Sequence, residues 1–117
     1  MTRHVLFPAT ELPEGTKRIV DVGGRSIGVM HLGDRYYALR NACPHHGAPL
    51  CEGTISGTMS AGRPYEYTFD AEDLVLRCPW HGYEFRLDTG ESIIDPRGTR
   101  VRTYRVVDED GELVLYA

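Results

Sequence analysis

The run TKRIVDVGGRSIGVMHLGDRYYALR, residues 16–40, holds three short apolar segments punctuated by Gly23-Gly24 and by Gly33-Asp34. Its apolar residues do not recur at the spacing of an amphipathic helix. They are rich in β-branched and aromatic types, which suit a pleated surface better than a helical turn. Glycine at the breaks permits the left-handed backbone that tight hairpin turns demand. The run therefore predicts strands at 16–22, 26–32 and 35–40, joined as a meander. Further strands are expected at 4–7, 65–69, 74–77, 83–87, 101–107 and 112–116, the last pair linked by Asp108-Glu109-Asp110-Gly111. Residues 53–64 are poor in apolar side chains, contain three glycines and read as a flexible excursion. The expected fold class is all-β.

A chain of 117 residues predicts a single domain spanning 1–117. Hydrophobic residues make up 41% and charged residues 26%, ordinary for a globular protein. With 13 basic and 17 acidic residues the formal net charge is −4, which points away from nucleic acid and anionic membranes as partners. The N-terminal residues contain no apolar run followed by a small-residue cleavage site, and no segment approaches the length of a membrane helix. Three cysteines are too few for a disulfide scaffold. A cytoplasmic protein is expected, one that uses cysteine for something other than crosslinking.

Two segments carry the chemistry: Cys43-Pro44-His45-His46-Gly47 and Cys78-Pro79-Trp80-His81-Gly82. Each offers a cysteine, a proline that stiffens the loop, a histidine within three residues and a glycine that lets the backbone turn. Two such loops, each presenting one sulfur and one imidazole, suit a metal centre. Structural zinc also accepts two cysteines and two histidines, but its usual spacings pair like ligands. A mixed pair on each loop suits a two-iron cluster in which histidines replace cysteines on one iron.

The pattern C-x-H…C-x-x-H, set within C-P-H-x-G-A-P-L and C-P-W-H-G-x-x-F, resembles the Rieske 2Fe–2S proteins. Within them it is similar to the small ferredoxins of bacterial ring-hydroxylating dioxygenases and to the small subunit of NADH-dependent nitrite reductase. Phe85-Arg86-Leu87-Asp88-Thr89-Gly90 and Asp95-Pro96 also look like the segment after the second loop in that family. The resemblance implies an antiparallel β sandwich or barrel with a cluster-binding subdomain at about 41–96. It implies one Rieske 2Fe–2S cluster, with Cys43 and Cys78 on one iron and His45 and His81 on the other. The histidines would bind through Nδ1 and leave Nε2 at the surface as an electron exit. Asp95-Pro96 would lie on a third loop over the cluster. No catalytic residue is implied: the chain would carry electrons and not be an enzyme by itself. Its partners would be a flavoprotein reductase and a terminal oxygenase, or the nitrite reductase large subunit. The net charge predicts partners that offer a basic surface to the histidine edge.

The sequence departs from the family in two ways. The gap from His45 to Cys78 is 32 residues, about twice the family's, and the surplus is assigned to an inserted loop and strand at about 53–73. Cys51 lacks the partner cysteine that respiratory members carry in the second loop, because Trp80 stands there. Cys51 therefore reads as a free thiol outside the ligand set, and His46 as a neighbour of the ligands. His4 and His31 fall in strands and read as structural, as do Tyr36, Tyr37, Tyr65 and Tyr67. Trp80 and Tyr83 read as shielding around the cluster. Respiratory members place serine two and tyrosine four residues after the second histidine, where their hydroxyls donate to sulfur. Here those positions hold Tyr83 and Phe85.

Overall fold

The computed structural model describes residues 2–44, 47–57, 74–80, 82–93, 95 and 97–117. Among these are nine strands: β1 (Arg3–Pro8), β2 (Thr16–Val22), β3 (Arg25–Leu32), β4 (Arg35–Arg40), β5 (Thr54–Gly57), β6 (Leu74–Arg77), β7 (Glu84–Arg86), β8 (Thr103–Glu109) and β9 (Glu112–Tyr116). Single 3-10 turns at Ala9–Glu11 and Leu50–Glu52 are the helical residues described. No helix among the described residues is long and apolar enough to cross a membrane.

The strands form a six-stranded sheet in the order β1-β9-β8-β4-β3-β2 and a three-stranded sheet in the order β5-β6-β7. Every pairing is antiparallel. The meander expected from residues 16–40 is present, with Val22 facing Arg25 and Leu32 facing Arg35 at its two turns. At the last hairpin β8 continues through Glu109, two residues further than the sequence suggested. The turn is then only Asp110-Gly111, at φ 53° and 86°, and the Asp108 carboxylate accepts the Gly111 N–H at 2.8 Å. That carboxylate lets a polar strand end persist where composition alone reads as loop.

β3 shows why strict alternation is absent from its sequence. Ile27 and Val29 join one apolar cluster with Phe7, Leu12, Ala38, Tyr104, Val106, Leu113 and Leu115. Met30, on the opposite face, joins a second cluster with Tyr37, Leu39, Leu50, Leu74, Leu76, Phe85 and Leu87. Both faces of the β3–β4 hairpin are covered, one within the larger sheet and one beneath the small sheet, so the strand is apolar throughout. The first cluster holds the larger sheet together, and the second ties the small sheet to it.

Residues 53–64 differ from expectation in part. Thr54–Gly57 is strand β5, in register with β6 from Thr54–Arg77 to Gly57–Leu74. With one large apolar residue in four, β5 has no sequence period and owes its conformation to the hydrogen bonds of β6. The strand expected at 65–69, and the inserted loop beyond Gly57, lie outside the described residues. His31 and Tyr37 are structural as expected. The His31 ring stacks on Tyr36 at 4.3 Å, and its Nδ1 lies 2.8 Å from the Leu12 carbonyl oxygen.

Candidate metal centre

The two cysteine loops close in the same way. In the first, between β4 and the 3-10 turn, the Cys43 N–H donates to the Ala48 carbonyl at 2.8 Å and the Gly47 N–H to the Cys43 carbonyl at 2.7 Å. In the second, between β6 and β7, the Cys78 N–H donates to the Tyr83 carbonyl at 2.7 Å and the Gly82 N–H to the Cys78 carbonyl at 3.1 Å. The offsets are identical: five residues forward from the cysteine N–H, and four back from the glycine. Gly47 and Gly82 sit at φ 71° and 72°, a left-handed backbone that a Cβ would strain. C-P-x-x-G is thus a loop-forming unit used twice.

This closure turns both cysteines inward. Cys43 and Cys78 are each 2% exposed and belong to the same apolar cluster, between Leu39, Ala48, Leu76 and Phe85. Two sulfurs delivered from two separately braced loops into one dry region match a thiolate-held cluster, whose potential depends on burial and hydrogen bonding. His45, His46 and His81 lie outside the described residues, so the imidazole half of the donor set rests on its place in the motif. The histidine occupies the third position of the first loop and the fourth of the second, within otherwise matched frames.

Three further features come from the structure. Trp80 is 62% exposed, so its indole is not part of the apolar cluster, whereas Tyr83 is half-buried and packs against it. The Glu91–Arg100 segment lies along β7, with Arg86 N–H donating to Glu91 O at 2.9 Å and Ile93 N–H to Glu84 O at 3.0 Å. That places the third loop beside the second. Asp95 turns it, its carboxylate accepting the Gly98 N–H at 3.1 Å, while Pro96 lies outside the described residues.

Cys51 belongs to the same apolar cluster as the other two cysteines but lies outside both C-P-x-x-G closures. Its Sγ lies 3.5 Å from the Leu39 carbonyl oxygen, and its N–H donates to the Asn41 side chain at 2.8 Å. A Cβ on Gly28 would come within 2.4 Å of both its Cβ and its Sγ, so this thiol fills the space that a glycine in β3 leaves open. Burial pushes its pKa up from 9.0 to about 11, against the opposing pull of the Gly28 backbone and the Lys17 charge. A buried thiol that resists ionisation and fills the gap over Gly28 serves as a packing group there. Because the folded value lies above the unfolded one, its stabilising effect is complete below pH 9 and fades as pH rises from 9 to about 11. The loss amounts to about 2–3 kcal/mol. Urea denaturation at pH 7, 9 and 10.5 is expected to show this decline in the parent protein and a smaller one in Cys51→Ala. Equal decline in both would remove Cys51 as its source.

The fold and the paired loops define an iron–sulfur domain of one kind. The model of the Rieske [2Fe-2S] domain matches residues 2–105, and the chain belongs to that family. Among curated relatives it is 29% identical over 108 residues to Ferredoxin CarAc of Metapseudomonas resinovorans, covering 92% of this chain and 86% of the relative. Among solved structures it superposes, at a TM-score of 0.71 and 28% identity, on a chain of the complex of reduced oxygenase and oxidized ferredoxin in carbazole 1,9a-dioxygenase. The match covers 97% of this chain and 91% of that one. It also superposes, at a TM-score of 0.75 and 22% identity, on a chain assigned as the small subunit of an NADH-dependent nitrite reductase from Mycobacterium tuberculosis. There the coverage is 97% and 93%, and the likeness is one of fold alone.

Proposed function

We propose that this protein is a Rieske-type ferredoxin carrying single electrons from a flavoprotein reductase to a terminal oxygenase of the ring-hydroxylating class. The observation that carries the reading is the matched pair of loop closures that bury Cys43 and Cys78 in one apolar cluster. The likeness to Ferredoxin CarAc and to the ferredoxin of an oxygenase complex supports the choice of partner. The proposed ligands are Cys43, His45, Cys78 and His81. A bound 2Fe–2S cluster supplies a one-electron couple and no substrate chemistry. The chain's own contribution is to hold that couple rigidly and keep water from the sulfurs. Phe85, fully buried in β7, and Leu76 form the apolar wall behind Cys43 and Cys78. Catalysis then belongs to the partner, and the proposed location is cytoplasmic.

Iron and acid-labile sulfide analysis tests this, together with EPR of the reduced protein. Two irons and two sulfides per chain, with hyperfine coupling to histidine nitrogen, are expected. One iron, or a signal without nitrogen coupling, would sink the reading. The fold likeness to a nitrite reductase small subunit favours a second reading, as a permanent subunit. A carrier exchanges partners and elutes alone in gel filtration, whereas a subunit would co-elute with its large chain.

The potential is expected near the low end of the Rieske range, roughly −150 mV and not +300 mV. Phe85 stands where respiratory members place a hydroxyl that donates to sulfur, and a buried phenyl ring offers no such bond to the reduced state. Protein-film voltammetry giving a value above about +100 mV would refute the argument. Phe85→Tyr is expected to move the potential upward.

A further inference from the structure

The formal net charge of −4 suggests a protein that docks on basic surfaces, but the charges are not spread evenly. Strand pairing sets Arg25, Arg40 and Arg102 side by side at the end of the larger sheet that leads into the first cysteine loop. Arg40 faces Ile27 in the register and its N–H donates to the Arg102 carbonyl at 2.9 Å. By alternation Arg25, Arg40 and Arg102 share the face of Ile27, Ala38 and Tyr104. The guanidiniums of Arg25 and Arg102 lie over the Tyr104 ring, 5.8 and 5.4 Å from its centre. Arg40 and Arg102 are exposed and Arg25 is half-exposed. Among the described residues none of the three forms an ion pair; the pairs there engage Arg3, Arg18, Arg86 and Arg100.

Asp21 stands at the same hairpin end, paired with Ser26 and so on the opposite face by alternation, and its carboxylate accepts the Gly24 N–H at 3.1 Å. A second acidic group lies at the far end of the sheet. Asp34 turns β3 into β4, and Asp108, Glu109, Asp110 and Glu112 surround the β8–β9 turn. β8 runs from Thr103, beside the arginines, to Glu109, a length of about 20 Å. Arg25, Arg40 and Arg102 thus make a local positive cluster adjoining the Cys43 loop, with Arg40 three residues before that cysteine. One further group there lacks a counterpart. The Tyr104 hydroxyl is buried and has no hydrogen-bond partner among the described residues, although buried hydroxyls are normally bonded.

We propose that Arg40, together with Arg25 and Arg102 laid over Tyr104, forms the docking surface for an acidic, carboxylate-rich patch on the redox partner, opposite in sign to what the net charge suggests. Over the few ångströms of a contact the local charges dominate. The acidic turn lies two Debye lengths away at physiological salt, where the screening length is ~8 Å. Guanidiniums held over a ring lose less freedom on pairing with carboxylates, and their planar forks fit carboxylates two bonds at a time. The identity of the partner rests on the carrier reading; the sign of the surface does not.

The test uses probes of known charge on the reduced holoprotein. Ferricyanide, an anion, takes one electron and becomes ferrocyanide while the protein returns to its oxidised form; hexaammineruthenium(III) is the cationic control. Stopped-flow oxidation by ferricyanide is expected to slow roughly fivefold or more from low salt to 0.2 M, the mark of attraction. The Arg25→Gln/Arg40→Gln/Arg102→Gln variant is expected to lose that dependence, and Asp110→Asn/Glu112→Gln to keep it. A ferricyanide rate that rises with salt in the parent protein, or one unchanged in the arginine variant, overturns the proposal. Protein that shows no visible bleaching on reduction refutes the carrier reading instead. Calorimetric titration with deca-glutamate then still decides the arginines. Binding that vanishes in the triple variant supports the surface, and no binding by the parent protein overturns it.

Discussion

Cys78→Ser is expected to abolish cluster incorporation, leaving colourless protein with little iron or sulfide, and Cys43→Ser to do the same. Both sulfurs point into one apolar cluster from loops braced by identical backbone hydrogen bonds. A hydroxyl there is a poor substitute, because iron–sulfur clusters select soft thiolate and the serine proton is far harder to remove. No other sulfur is expected to take over. Cys51 is committed to the space over Gly28, and its ionisation is opposed by burial. Cys51→Ser is expected to keep full iron and sulfide content. Its cost is about 1–2 kcal/mol of stability, because a stronger dipole then sits buried between the Leu39 carbonyl and the Gly28 backbone, in a site shaped for sulfur. Metal analysis of the three variants side by side decides the matter. Iron retained in Cys78→Ser and lost in Cys51→Ser would show that the ligand set is wrong.

Gly53→Ala is expected to be nearly as damaging, although position 53 bears no ligand. A Cβ there would lie 1.8 Å from the Arg77 carbonyl oxygen and 2.9 Å from its carbon, with the Leu50 carbonyl oxygen at 3.0 Å. All three obstacles are backbone, so no side-chain rotation relieves the clash. β5 would have to part from β6 at the Thr54–Arg77 pair, and Arg77 immediately precedes Cys78. The Gly53 N–H also closes the 3-10 turn on Leu50 at 2.9 Å, and the Lys17 ammonium donates to the Gly53 carbonyl. Gly53 thus joins the segment after the first loop to the strand feeding the second. Overpacking at such a point costs about 3 kcal/mol or more. Thermal denaturation and iron content are expected to fall together in the variant. A Gly53→Ala protein with parental Tm and full iron would mean that the two loops are not coupled here.

Much of this protein is local, and what is local was readable from sequence alone. The β2–β3–β4 meander needs only short apolar runs broken by glycine, and the residues that specify it are neighbours along the chain. C-P-x-x-G closes on itself within six residues, so both loops could be found, and Cys51 set aside, before any contact was known. Tertiary structure alone decided what depends on residues far apart. β5 exists because β6 offers it hydrogen bonds, and a strand with one large apolar residue announces nothing by itself. Gly28 resembles a weak spot in β3 until Cys51, 23 residues later, fills the gap it leaves. Trp80 looked like cover for the site, yet the same tight closure that buries Cys78 turns its indole outward. The arginines show the limit most plainly. Residues 25, 40 and 102 share no motif and sit in a chain of net negative charge. Antiparallel pairing across β3, β4 and β8 gathers them at one edge, because strand register sets which side chains stand together, and composition carries no record of register.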